Sequence, residues 1–355
     1  MKYSVVALFI LIAGIDLIFS QADTLRLHQL QVIGSHNSYK QAIAPELFRF
    51  LEEKDTTGGM LSLQYEHIAI TEQLDMGLRN LELDIYIDDK GGRYARPKGL
   101  ELVEDQPEYD PEGKMEAPGF KMLHVPDIDF RSEYLTLEDC LKALRKWSFE
   151  HPSHEPVFIT LEAKDGKANH FGTKPEPFTE KAFAALDSVL LNDLGKDHLI
   201  TPDGVRGNYT TLEAAVLDHQ WPVLKEARGK FLFILDDKGR KKELYRKGHP
   251  SLRNRVLFVC AEPGTPEAGA MILNNPDDPR IPELVRKGYI IRTRADANTK
   301  EARNNDYSGF EAAKKSGSQI ITTDYYLPSR LFRSSYHIMF GGNRYVRENP
   351  VSVSK

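Results

Sequence analysis

Short apolar runs rich in Val, Ile, Leu and Phe recur along almost the whole chain, and between them apolar residues return at helical spacing. The runs predict strands over Leu30–Ile33, Asn80–Ile87, Lys121–His124, Val157–Leu161, Phe231–Leu235, Val256–Cys260, Tyr289–Arg292 and Gln319–Thr322. Several are nearly continuous rather than alternating, as strands of a parallel sheet are when both faces are buried. Among the helical stretches, Thr136–Phe149 carries Leu137, Leu141, Leu144 and Trp147 on one face. Thr136 stands as its N-cap, with Asp139 three residues on. Phe178–Leu194, Pro282–Arg286 and Phe310–Lys315 read in the same way. Gly77, Gly288 and Gly317 stand where helices end before the next strand.

Eight strand units separated by helices predict an α/β fold of the (β/α)8 TIM-barrel type. A doubly wound sheet shares that alternation, but no G-x-G-x-x-G follows the first strand and no P-loop occurs. Residues 88–120 are rich in Gly, Pro, Glu and Asp and read as a loop inserted between the second and third strands. Such a loop either overhangs the active-site end of a barrel or is an acidic, solvated excursion.

The N-terminus carries a targeting pattern. Lys2 precedes an apolar run from Val5 to Phe19, broken only by Gly14 and Asp16, and the small residues Ser20 and Ala22 follow. This predicts a signal peptide over residues 1–22, a secreted protein, and a single catalytic domain over 23–355. Composition is that of a globular protein, with 41% hydrophobic and 28% charged residues. A formal charge of −5 gives no footprint for nucleic acid, so an anion must be held by a local cluster or a metal. Two cysteines, Cys140 and Cys260, exclude a disulfide scaffold and leave one bridge open. Asn208-Tyr209-Thr210 is a glycosylation sequon. No obligate protein partner is evident.

Chemistry enters where polar residues interrupt the strands. In Asn80-Leu81-Glu82-Leu83-Asp84-Ile85-Tyr86 the two acids lie two apart, hence on one face, which in a closed barrel is the lumen. Carboxylates side by side there are costly without a cation or proton to compensate them. The fourth strand likewise sends Glu162 and Lys164 to a common face. The first ends in Gly34-Ser35-His36-Asn37-Ser38-Tyr39, the third in His124, and the seventh in Arg292-Thr293-Arg294. On a barrel these polar groups meet at one rim. Asn and carboxylate oxygens suit calcium, or less well magnesium. Zinc signatures such as H-E-x-x-H and C-x-x-C are absent. Two histidines beside an oxygen-ligated cation are the parts for acid–base work on a phosphodiester. Taken singly, each residue has a structural reading as well: Glu82 and Asp84 could form an ion-pair ladder with Arg292 and Arg294.

The run Gly34-Ser35-His36-Asn37-Ser38-Tyr39 resembles the opening motif of the phosphatidylinositol-specific phospholipase C catalytic domain. Leu81-Glu82-Leu83-Asp84 resembles its second-strand motif, and His124 its second histidine. The likeness runs from about Leu30 to Leu327, and the acids point to the calcium-dependent branch. It implies Asn37, Glu82, Asp84 and Glu162 as calcium ligands and His36 and His124 as the acid–base pair. Lys164, Arg292 and Arg294 are added as phosphate contacts from their charge and strand-end position. The implied reaction cleaves phosphatidylinositol to diacylglycerol and a cyclic inositol phosphate during transient contact with a membrane surface. Two alternatives differ in substrate or class: a glycerophosphodiester phosphodiesterase or other lipase-D-like barrel, and an inactive secreted binding protein. Tyr325, Tyr326, Leu327, Phe332 and Tyr336 form either an apolar surface at the mouth or ordinary packing.

Overall fold

A computed structural model describes residues 24–352, so the signal peptide expected over 1–22 lies outside the described residues. Eight parallel strands form the barrel: β1 (Leu30–Ser35), β2 (Asn80–Asp88), β4 (Val157–Ala163), β5 (Phe231–Leu235), β6 (Phe258–Val259), β7 (Ala270–Ile272), β8 (Ile290–Arg294) and β9 (Ile320–Thr323). They pair in the order β6-β5-β4-β2-β1-β9-β8-β7, and a parallel bridge between Cys260 and Ala270 joins the two ends of that path. The architecture is the (β/α)8 TIM barrel that the strand count predicts.

Its eight strands are not quite the predicted eight. The run expected over Lys121–His124 forms β3 (Gly119–Met122), which pairs antiparallel with the outer half of β2, Ile85 opposite Met122. It extends β2 as a hairpin and takes no place in the barrel. The sixth barrel strand is instead the three-residue Ala270–Ile272, separated from β6 by ten residues with no helix between. Val346–Glu348 adds β10, antiparallel to the first half of β1.

The predicted helices form for the expected reasons. The helix Leu137–Glu150 buries Leu137, Leu141, Leu144 and Trp147 against the sheet, and Thr136 Oγ1 accepts the Asp139 amide at 3.2 Å. In Glu180–Leu194, Thr179 caps Ala182 in the same way. Gly77 and Gly317 close their helices in the left-handed region. Cys140 and Cys260 are both free and buried. Tyr325, Tyr326 and Tyr336 are buried packing, while Leu327 is 39% exposed. Asn208 is exposed. Among the described residues no helix is long and apolar enough to cross a membrane.

The segment between β2 and β3 is anchored by its own turns and by apolar contacts, while many of its charged residues are exposed. Asp88 accepts the Gly91 and Arg93 amides, and Asp110 those of Lys114 and Met115. Tyr94 and Met115 pack with Tyr86 and Leu123. Leu100, Leu102 and Val103 lie against Leu47 and Phe48 of the helix Pro45–Lys54 and against Phe130.

Candidate active site and metal centre

The first strand delivers its loop to the mouth through a close approach. A Cβ on Gly34 would lie 2.2 Å from the Asn80 carbonyl oxygen, so glycine alone lets β1 meet β2 at the Gly34–Asn80 rung. The two serines that frame His36 and Asn37 then lock the turn. Ser38 Oγ accepts the Glu82 amide at 2.8 Å, the Ser38 amide donates to the Glu82 carbonyl at 2.9 Å, and Ser35 Oγ donates to Gln73 Oε1 and pairs with Ser38 Oγ at 2.6 Å. Asn37 sits at φ 48°, a left-handed conformation that asparagine tolerates. Its Nδ2 donates to the Tyr65 hydroxyl at 2.7 Å.

Strand register brings the acids together. Asp84 of β2 is the direct partner of Glu162 on β4, and Glu82 lies two residues before Asp84 on the same face. Glu82, Asp84 and Glu162 present one oxygen each within 4.8 Å of one another. Lys164 Nζ stands 3.2 Å from both Asp84 and Glu162. Arg292 is fully buried, and its guanidinium contacts Glu82 and Asn274. Named above among the phosphate contacts, it pairs here with Glu82, one rung of the ion-pair ladder. Arg294 is only partly buried, and its Nε has no hydrogen-bond partner.

Charge decides how these carboxyls titrate. Burial raises Glu82, but Arg292, His36 and Arg294 outweigh it and hold the group below the ordinary carboxylate range. Burial and the neighbouring Asp84 push Glu162 up to about 7, against the opposing pull of Lys164. Burial tends to lower Lys164, yet Asp84 and Glu162 raise it overall.

Both histidines stand at this mouth, each held through Nδ1 by a carboxylate. His36 Nδ1 lies 2.8 Å from Asp324, with Nε2 3.5 Å from Glu82. His124 Nδ1 lies 2.6 Å from Asp129. The Tyr65 ring sits between them, 6.0 Å from His36 and 6.5 Å from His124 by centroids. Asp324 is backed by Asp296, whose Oδ1 accepts the Asp324 amide at 2.9 Å. Burial and Asp324 push Asp296 up to about 7, while Asp324 is held below the usual range because His36 outweighs its burial.

Asp324, Asp129, Tyr65 and Asp296 escaped the reading of the sequence. Asp324 directly follows β9, so the strand-end rule that found Glu162 reaches it too. Asp129 and Tyr65 lie in loops and carry no comparable signal.

A parallel barrel whose mouth joins two carboxylate-held histidines to an oxygen-only cluster defines a class of phosphodiesterases. Residues 25–350 match the family described as phosphoinositide phospholipase C, Ca2+-dependent, and the chain belongs to that family. It is therefore a phosphodiesterase of the phospholipase C kind whose family cofactor is calcium. Solved structures agree in fold. The calcium-dependent phosphoinositol-specific phospholipase C of the Gram-negative Pseudomonas sp. is 16% identical with a TM-score of 0.53, over 93% of this chain and 97% of that one. The calcium-dependent phosphatidylinositol-specific enzyme of Streptomyces antibioticus is 19% identical with a TM-score of 0.50, over 86% and 97%. No curated protein matches the sequence.

The residues present fit a hard cation. Both Asp84 oxygens are buried without a hydrogen bond, an unusual state for a carboxylate whose one ion-pair partner among the described residues is Lys164. Three carboxylates share their volume with two cations, Lys164 and Arg292, and Arg292 is engaged on Glu82. The cluster offers oxygen ligands only, as calcium prefers.

Proposed function

We propose that the protein is secreted and cleaves phosphatidylinositol-type lipids to diacylglycerol and a cyclic inositol phosphate, with His36 and His124 as the acid–base pair. The observation that carries this reading is the juxtaposition of the Glu82, Asp84 and Glu162 cluster with two carboxylate-held histidines at one mouth. Asn37 would complete the ligand set with these three acids. A calcium ion held by these residues would supply the positive charge that favours the phosphodiester's developing negative charge and an ionised hydroxyl.

One histidine takes the proton of the inositol 2-hydroxyl as its oxygen bonds to phosphorus. The phosphorus–oxygen bond to the glycerol breaks, and the other histidine gives its proton to that oxygen. No water is consumed in forming the cyclic product. Asp324 and Asp129 hold the two rings by Nδ1, which fixes the tautomer and leaves Nε2 for proton exchange. Arg294 and Lys164, both partly exposed to the mouth, would meet the phosphate. The targeting pattern over residues 1–22 and the exposed Leu327 beside the mouth support secretion and transient contact with a lipid surface.

The test is turnover of phosphatidylinositol vesicles with calcium or with chelator, followed by phosphorus NMR. Cyclic inositol phosphate is expected only with calcium. His36→Ala and His124→Ala should each lower turnover by about 10²–10⁴-fold, and Glu82→Gln should remove the calcium requirement's effect along with activity. A folded, calcium-binding protein that leaves the lipid intact would sink the assignment.

A further inference from the structure

Behind His124 lies a charge that the reaction above does not use. Lys40 follows the Gly34–Tyr39 run directly, and its side chain is fully buried. Its Nζ stands 3.2 Å from Asp129 Oδ1, and the other oxygen of that carboxylate holds His124 Nδ1 at 2.6 Å. Asp129 is itself 1% exposed, and its Oδ1 receives no well-aligned hydrogen bond. Nζ also donates to the Tyr65 carbonyl at 2.7 Å and lies 4.5 Å from the centroid of the Tyr65 ring. Backbone pairing holds this geometry: Lys40 bridges to Ser132, and the Glu133 amide donates to the Tyr39 carbonyl at 2.9 Å.

A fully buried ammonium is costly unless its charge is matched. As a mere spacer between loops, Lys40 would need only a neutral donor for the Tyr65 carbonyl, and its charge would have no use. Its charge matters because Asp129 must stay ionised in a dry site to hold the histidine ring in one tautomer. We propose that Lys40 is a positioning residue for His124, acting through Asp129 to fix the Nδ1–H tautomer and leave Nε2 to exchange the proton. Lys40 belongs to the His36 loop and Asp129 to the His124 loop, so the same ion pair sets the two histidines in one frame. The inference rests on the acid–base role of His124 proposed above.

The experiment measures vesicle turnover with calcium for wild type, His124→Ala, Asp129→Asn, Lys40→Met and the double variant Lys40→Met/Asp129→Asn. Nitrogen NMR of the His124 ring reports the tautomer. Asp129→Asn and Lys40→Met should each lower kcat by about 10- to 100-fold with KM little changed. The double should fall no further than Asp129→Asn, and Lys40→Met should lose the Nδ1–H signature. A double variant about tenfold or more below Asp129→Asn, or an unchanged ring signature in folded Lys40→Met, overturns the proposal. Should Lys40→Met fail to fold, the double decides alone, because it leaves no uncompensated buried charge. Full activity in His124→Ala would remove the role of His124 itself, and Lys40 would fall with it. That failure is distinguished from failure of Lys40 alone by the His124→Ala rate.

Discussion

The mouth has two flanks of opposite electrostatic character. On the β8 and β9 flank the buried charges are matched one to one: Arg292 serves Glu82 and Asn274, and Asp324 serves His36. On the β2 and β4 flank Asp84 and Glu162 share the single Lys164, and Asp84 accepts no hydrogen bond. The same residue type therefore titrates in opposite directions a few ångströms apart, Glu82 downward and Glu162 upward. A balanced flank is one that folding completes by itself. A flank short of positive charge is one that a cation completes.

The comparison breaks hardest at Arg292. Arg292→Met keeps the volume but leaves Glu82 charged and buried, and should cost about 3–5 kcal/mol of stability. Denaturant unfolding of the chelated protein measures it, and the double variant Arg292→Met/Glu82→Gln should recover much of the loss. A single variant within about 0.5 kcal/mol of wild type would mean that the guanidinium is not the counter-ion of Glu82.

The other flank should respond with the reverse sign. Asp84→Asn removes one of the crowded charges and should raise stability in chelator by about 1 kcal/mol, while the stabilisation conferred by calcium disappears. Melting curves with and without calcium separate these effects. Loss of stability in chelator would show that the flank is already compensated.

The smallest effect is a pH dependence. With Glu162 raised to about 7, the folded state without calcium binds more protons than the unfolded chain between about pH 4.5 and 7. The stabilising contribution of Glu162 is thus complete below the ordinary carboxylate range and is lost as pH rises toward 7. Calcium needs the ionised group, so its affinity should climb through the same window, by up to about tenfold per pH unit, and level off above it. Glu162→Gln should flatten that climb in calcium titrations at pH 6 and 8. An equal slope in the variant would assign the proton to another group.

Much of this contrast was legible before folding. Glu82, Asp84 and Glu162 stand out because charge inside an apolar strand is rare, and period two assigns their face without any knowledge of the partner strand. Strand identity was less secure. Lys121–His124 has the apolar content of a barrel strand, and only pairing reveals it as a hairpin on β2. Ala270–Ile272 is too short to register as a run and lacks a preceding helix. Arg292 stands out by position and charge, but its pairing with Glu82 depends on depth, which the sequence does not carry. Asp129 and Lys40 are 89 residues apart in the sequence, and nothing local in either loop announces their ion pair.

The position of β1 has a consequence for how the chain is made. Apart from the Gly34–Asn80 rung, its edges are completed by residues 320–323 of β9 and 346–348 of β10. The first strand to leave the ribosome therefore waits for almost the last, and closing so long a loop is slow. Until residues 320–348 are available, the His36 turn lacks the Thr323 carbonyl that holds its amide and the Asp324 carboxylate that holds its ring. The barrel cannot close, and the candidate site cannot assemble, on a nascent chain shorter than that.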